Sequence, residues 1–295
     1  MKIGIDIGGS HVGIGVVDNG KIIEQEEIRI LKVDKEKIEE FIEEYLVKKI
    51  LEFNKKYKIE TIGVSSAGKI QDNIIEESPN LGFRNYNIIE HLKNTTNLKD
   101  IEYLIKNDSQ CAGIAEKKYG SLKDVENAVF LTIGTGIGGA VFLDNKLIKS
   151  KNKAEFEFGH IILKENGIKC NCGQNGCFEK YAGMKALKDN IRKELQLDEQ
   201  TSGKEIIKII NNNPNNEIIK KVIDEYVEDL TDGLVIILSK YNVNVIDIGG
   251  GFIYYRHILL EKIKNRLEEK IKRNIDIKIA TLGNDAGIIG ATIKE

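Results

Sequence analysis

The sequence predicts an α/β protein made of two similar halves, and three features carry that prediction. Apolar stretches with a period of two alternate with stretches of helical spacing. The segment Ile5-Asp6-Ile7-Gly8-Gly9-Ser10 followed by HVGIGVVDN aligns without gaps on Leu131-Thr132-Ile133-Gly134-Thr135-Gly136 followed by IGGAVFLDN. Gly8/Gly134, Gly13/Gly139, Asp18/Asp144 and Asn19/Asn145 are identical, so each half opens with the same glycine hairpin. The length of 295 residues suits about two domains.

Lys2 to Ile7 alternates toward a strand and Gly8-Gly9 breaks it. Val12 to Val17, the turn Asp18-Asn19-Gly20, and Lys21 to Ile28 complete an antiparallel meander. Ile38, Phe41, Ile42, Tyr45 and Leu46 recur at helical spacing, and Glu60 to Val64 reads as a buried strand reached after that helix. Ile101 to Ile105 is a further strand ending at Asn107-Asp108, and Ala112 to Tyr119 a helix. In the second half Ile218, Ile219, Val222, Ile223, Tyr226, Val227 and Leu230 mark an amphipathic helix, with 211–216 before it as a polar loop. Val243 to Ile248 is a strand running into Gly249-Gly250-Gly251, and Ile258 to Ile271 a helix. Ile275 to Ala280 and Asp285 to Ile293 close the chain as strand and helix.

Lys+Arg 44 against Asp+Glu 46 gives a net charge of -2, so no large charged field organises the molecule and nucleic acid is not an expected partner. No apolar run approaches the ~20 residues of a membrane span. The N-terminus has neither an h-region nor a small-residue cleavage site, and the expected location is the cytoplasm. Three of the four cysteines (Cys170, Cys172 and Cys177) crowd together while Cys111 stands alone. That is a poor disulfide framework and a good start for a metal site.

The two glycine turns lack Cβ atoms where backbone N–H groups would approach phosphate oxygens, and hydroxyl side chains stand beside them. Neither turn is a P-loop, and a single turn of this kind is ordinarily just a hairpin. Two in duplicated positions, with a third glycine cluster at Gly249, Gly250 and Gly251, favour nucleotide binding. Asp6 at a strand end could hold Mg²⁺ through water. His160, Cys170, Cys172 and Cys177 supply one imidazole and three thiolates, a closed tetrahedral set for structural Zn²⁺. Glu157 and Glu179 flank this knot, and a metal that fixes the loop fixes them as partners for a polyhydroxylated ligand. Asp108, between a strand and a helix, is either an N-cap or a general base for phosphoryl transfer. His11, His91 and His257 show no partner pattern.

Together these motifs resemble the ROK family of sugar kinases and repressors. DIGGS resembles the first phosphate motif and TIGTGIGGA the second. EFGH followed by Cys170 to Glu179 resembles the signature, and LGNDAGIIGA, Leu282 to Ala291, the C-terminal motif. The resemblance implies a two-domain actin-like ATPase (ribonuclease H-like) α/β fold with a duplicated core and an active-site cleft between domains. It also implies ATP-dependent phosphorylation of a hexose, usually at the 6-hydroxyl, with Mg²⁺, and commonly a homodimer.

Residue by residue, Asp108 matches the catalytic base. Asn107, Glu157, His160, Glu179, Asn80 and Gly68 match sugar ligands, so that His160 serves both zinc and sugar. Asp6, Gly8, Gly9, Ser10, Thr132, Gly134, Thr135 and Gly136 match the nucleotide turns, with Gly249 to Gly251 near the adenosine. The implied domains are a small one, 1–107 completed by helix 285–295, and a large one, 108–284, carrying the zinc loop 160–177.

Three positions depart from the family's usual residues: Ser10 in place of Thr, Gln110 in NDSQ, and Phe156 in place of Gly. The last two border the inferred sugar site and bear on which hexose it takes. The cysteine loop favours glucose or an N-acetylhexosamine over fructose. A repressor relative would carry an N-terminal helix-turn-helix, for which a first phosphate strand beginning at Lys2 leaves no room.

Overall fold

The computed structural model describes residues 1–30, 33–79, 81–148 and 157–295. They form two compact units, Met1–Lys123 with Leu282–Glu295, and Asp124–Thr281. None of the described helices is long and apolar enough to cross a membrane.

In the first unit β1 (Lys2–Ile7), β2 (His11–Asp18) and β3 (Lys21–Arg29) form the expected meander. Strand alternation places Ile3, Ile5 and Ile7 on one buried face of β1, leaving Gly4 and Asp6 on the other. Helix α1 (Ile38–Lys56) covers the isoleucine face with Ile42, Leu46, Ile50 and Phe53. Phe41, which the spacing also placed on that stripe, is 40% exposed. Strand β4 (Thr61–Ser66) runs parallel to β1, with Asp6 opposite Ser65.

The chain then forms a small antiparallel sheet of β5 (Lys69–Gln71), β6 (Ile74–Ser78) and β7 (Phe83–Tyr86), followed by α2 (Ile88–Thr96). Strand β8 (Glu102–Asn107) returns parallel to β4, completing the order β3-β2-β1-β4-β8.

The opposite face is covered by α9 (Asp285–Ala291), against which α3 (Asp108–Tyr119) packs. Backbone meets backbone here. A Cβ at Gly4 would lie 2.0 Å from the Ile288 carbonyl oxygen, one at Gly63 2.0 Å from that of Ala291, and one at Gly290 1.8 Å from that of Cys111. Because α3 is fixed to α9 in this way, the first unit extends to Lys123, beyond the expected boundary at 107, and resumes at Leu282.

The second unit repeats the plan with β9 (Ala128–Ile133), β10 (Ile137–Leu143) and β11 (Lys146–Leu147) as its antiparallel part. Helices α4 (Glu179–Ala182), α5 (Met184–Glu194), α6 (Gly203–Asn212) and α7 (Glu217–Tyr241) follow. Asn211 and Asn212, expected in a loop, finish α6, while Asn216 caps α7 through the backbone N–H groups of Ile218 and Ile219.

Strand β12 (Val245–Gly249) pairs parallel to β9, α8 (Arg256–Ile271) follows, and β13 (Asp276–Ile279) pairs parallel to β12. Tyr226, Leu230, Leu234 and Ile237 of α7 pack with Leu131, Phe178 and Ile246 in the core. The sheet order β11-β10-β9-β12-β13 matches that of the first unit strand for strand. This duplicated arrangement is the actin-like ATPase fold.

Candidate active site

In the first unit the ends of β1, β4 and β8 converge on a cluster of carboxylates. The Ser65 hydroxyl, fully buried, donates to Asp6 Oδ1 at 2.6 Å. Burial raises the Asp6 carboxyl to about 6, opposed by the Ser65 hydrogen bond and reinforced by the negative charges of Asp108 and Glu27. Burial likewise raises Asp108, against hydrogen bonds from Ser109 and Asn107 that favour its ionised form. A carboxyl pushed upward in this way is the stronger proton acceptor once ionised.

The cap of α3 is Asn107, whose Oδ1 accepts from Ser109 N at 3.0 Å and Gln110 N at 3.3 Å. Asp108 is therefore the first helical residue and not the cap, although its Oδ1 also accepts from Ser109 N at 2.8 Å. Asn107 Nδ2 donates to the Gly68 carbonyl at 3.0 Å, which brings those two expected sugar ligands together. Gly68 has φ +112, and a Cβ there would lie 2.4 Å from the Glu77 carbonyl oxygen, so the position requires glycine. Asn80 and Phe156 lie outside the described residues.

Sequence reasoning missed three neighbours. Ser65 is one of three hydroxyl residues in the strand Thr61-Ile62-Gly63-Val64-Ser65-Ser66, and only its pairing opposite Asp6 singles it out. Lys106, lowered by burial, donates to the Ala291 carbonyl at 3.3 Å. Glu116 is fully buried on α3, where its carboxylate accepts from Ser121 N at 2.9 Å, Ser121 Oγ at 3.1 Å and Leu282 N at 2.7 Å. The lone Cys111 is buried, and burial raises its thiol to about 12, which keeps it inert.

The first glycine turn is closed by Gly8 N donating to the His11 carbonyl at 3.0 Å, and Gly9 is its exposed tip. The second is closed by Gly134 N donating to the Gly136 carbonyl at 2.9 Å. A Cβ on Gly134 would meet nothing within 4 Å, so open space lies over this turn, and Thr135 is exposed beside it. Gly136 serves another purpose, because a Cβ there would sit 2.6 Å from Glu179 Oε2 and its absence lets the carboxylate approach.

Thr132 pairs in register with Gly249, and Gly250 at φ +74 lies with its Cβ position 2.9 Å from the Ile133 carbonyl oxygen. The glycine cluster through Gly251 therefore adjoins the second turn.

The same unit gathers His160, Cys170, Cys172 and Cys177, whose donor atoms all lie within 4.8 Å of one another. His160 Nδ1 is 3.7 Å from Cys170 Sγ, and the Cys172 and Cys177 sulfurs are 3.5 Å apart. A tetrahedron with Zn–S bonds of about 2.3 Å has S···S edges of about 3.8 Å, so the set fits Zn²⁺. The other ring nitrogen, Nε2, points the opposite way and lies 3.8 Å from Glu157 Oε2. Glu179 Oε1 lies 3.3 Å from Cys170 Sγ and 4.0 Å from His160 Nδ1. The expected metal ligands and both flanking glutamates thus occupy one cluster.

Comparison with known proteins agrees with this reading of the chain. It is 26% identical over 314 residues to the glucokinase of Streptomyces coelicolor, covering 99% of this chain and 96% of that protein. It is also 26% identical over 298 residues to the N-acetylmannosamine kinase of Haemophilus influenzae, covering 98% of this chain and 93% of the relative. Among solved structures, the ROK family glucokinase of Streptomyces griseus in complex with glucose and AMPPNP superposes with a TM-score of 0.82 at 23% identity. The superposition covers 99% of this chain and 97% of that one. The ROK family model matches residues 2–293, and the chain belongs to the ROK family.

Proposed function

We propose that this protein is an ATP-dependent hexose kinase that transfers the γ-phosphate of MgATP to the 6-hydroxyl of glucose, with Asp108 as general base. The observation that carries this reading is the placement of Asp108 at the junction of β8 and α3, recessed beside Asp6 and raised by burial. The kinase relatives supply the reaction class.

Asp108 accepts the proton of the attacking hydroxyl, and its ionised form is prepared by the Ser109 and Asn107 hydrogen bonds. Asn107, Gly68 and Asn80 bind sugar hydroxyls in this reading, together with Glu157, Glu179 and the Nε2 face of His160. Zinc supplies no reactive position when all four ligands are protein atoms; it fixes the loop that carries His160 and the two glutamates. Gly8, Gly9, Ser10, Thr132, Gly134, Thr135 and Gly136 receive the nucleotide's phosphates, and Gly249 to Gly251 its adenosine end. Asp6 reaches the Mg²⁺ of the nucleotide through water.

The alternative acceptor is N-acetylmannosamine, the substrate named for the Haemophilus relative, or N-acetylglucosamine. Homodimer formation belongs to the same proposal. The test is ADP release with MgATP across glucose, mannose, fructose, N-acetylglucosamine and N-acetylmannosamine, in the wild type and Asp108→Asn. One sugar should stimulate the wild type, and the variant should fall by at least about 10² in rate, as for loss of a general base. A variant that keeps most of the activity removes Asp108 from the role, and a folded, zinc-loaded protein that no sugar stimulates overturns the kinase reading.

A further inference from the structure

Ser10, the hydroxyl of the first glycine turn, is not free to face a ligand: its Oγ lies 2.7 Å from His11 Nδ1. The other ring nitrogen of His11, Nε2, lies 3.8 Å from Glu27 Oε1. Sequence reasoning gave His11 no role. We propose that His11 sets the hydrogen-bonding polarity of the Ser10 hydroxyl, so that protonation of the imidazole turns Ser10 into a donor toward a nucleotide phosphate. This inference rests on the kinase reading and deepens it by naming a positioning residue for the phosphates.

A serine hydroxyl has one proton and two lone pairs. The Glu27 carboxylate favours a proton on Nε2, so the neutral ring keeps Nδ1 as an acceptor, and the short Oγ···Nδ1 contact takes up the serine's only proton. In that state Ser10 shows lone pairs to its surroundings, which repel phosphate oxygens. When the imidazole is protonated, Nδ1–H donates to Oγ and the hydroxyl hydrogen is released to point at a ligand. The change is a reversal of one hydrogen bond, and it adds a positive charge next to where the phosphates sit.

The register supports this placement. His11 pairs opposite Arg29, and two residues along β2 Gly13 pairs with both Asp6 and Glu27. His11, Arg29, Glu27 and Asp6 therefore share one face of the sheet, and Gly13 contributes no side chain between them. The charged groups on the elements flanking this end of β2 are Arg29 and Glu27 on β3, Asp6 on β1, Asp285 at the start of α9, and Glu39 and Glu40 in the first turn of α1. On the face that His11 shares with Arg29, Glu27 and Asp6, a cation at His11 joins Arg29 against two carboxylates as a charge that welcomes an anion.

The test is calorimetric binding of MgADP from pH 5.5 to 8.5 by the wild type, His11→Gln and Ser10→Ala. His11→Gln keeps the nucleotide's own titration and so serves as the baseline. The wild type should tighten as pH falls across this series, by roughly five- to tenfold more than His11→Gln. Ser10→Ala should follow the His11→Gln profile although it retains the imidazole, which a merely structural role for His11 would not produce.

Long-range ¹⁵N–¹H spectra, with the His11 ring assigned by its loss in His11→Gln, should show the Nε2–H tautomer at pH 8. Matching pH profiles for wild type and His11→Gln, a wild-type profile in Ser10→Ala, or an Nδ1–H tautomer at pH 8 would each overturn the inference while leaving nucleotide binding intact. Absence of MgADP binding by the folded wild type at every pH would overturn the nucleotide reading, and this inference with it.

Discussion

Substituting Gly290 by alanine tests the way the first unit is held together. The added Cβ would lie 1.8 Å from the carbonyl oxygen of Cys111 and 2.4 Å from its carbonyl carbon. Clearing a normal contact of about 3.2 Å requires one helix to retreat by more than ~1 Å. Neither can do so cheaply, because α9 is also seated on Gly4 of β1 and Gly63 of β4 through contacts equally close. Alanine gains about 1 kcal/mol over glycine in a helix interior, whereas overpacking costs typically 1–3 kcal/mol and more where backbone meets backbone. The net loss expected is about 2 kcal/mol or more. With an m-value of about 2–3 kcal/mol/M in urea, the unfolding midpoint should fall by roughly 1 M. Gly134→Ala is the matched control, since a Cβ there meets nothing within 4 Å, and its midpoint should stay within about 0.2 M of wild type. A Gly290→Ala protein as stable as wild type would refute the close seating of α9 on α3.

Two further outcomes follow from the sites. Metal analysis of the purified protein should find one zinc per chain, and replacing Cys177 by serine should abolish it and raise hydrogen exchange across 161–176. An active, folded protein without bound metal would remove the four-ligand assignment. Asp6 holds its proton more tightly in the folded state, at about 6 against 3.8, so its contribution to stability is present below the lower value and is lost as pH rises through the upper one. Asp6→Asn should therefore be more stable than wild type at pH 7.5, by roughly 2–3 kcal/mol, with the gain shrinking toward pH 4.5, while nucleotide binding declines. A variant less stable than wild type at pH 7.5 would contradict this.

Much of the fold was legible in the sequence because its signals are local. The meander announces itself through alternation and through the Asn19-Gly20 turn, and the repeat at residue 131 implied a second hairpin of the same kind, which β9 and β10 form. The small sheet of β5 to β7 was not legible. Lys69-Ile70-Gln71 is too short to show a period, and its turn, Asp72-Asn73 with φ of 49 and 64, lacks the glycine that marks Asn19-Gly20. At the site, the cysteine spacing pointed to the grouping of His160, Cys170, Cys172 and Cys177, since a set of side chains within one loop depends on nothing distant. Ser65 and Glu116 escaped notice for the opposite reason: their partners, Asp6 and Leu282, lie 59 and 166 residues away. The cap at Asn107 was displaced by one residue because Asn and Asp stand side by side there, and either can fill the position.

The repeated hairpin also shows how one backbone device has been split into two trades. At equivalent positions the first copy carries Asp6 and the second Thr132, and Gly9 and Ser10 of the first correspond to Thr135 and Gly136 of the second. The first copy has become acidic, gathering Glu27 and Asp108 about its carboxylate, and is suited to cations and proton transfer. The second turn has no acidic residue of its own and is open, with a threonine at its rim and the Glu179 carboxylate lodged where a side chain would otherwise stand. Because the scaffold is present twice, the buried carboxylate stands in one copy and the open rim in the other, and no single turn has to carry both.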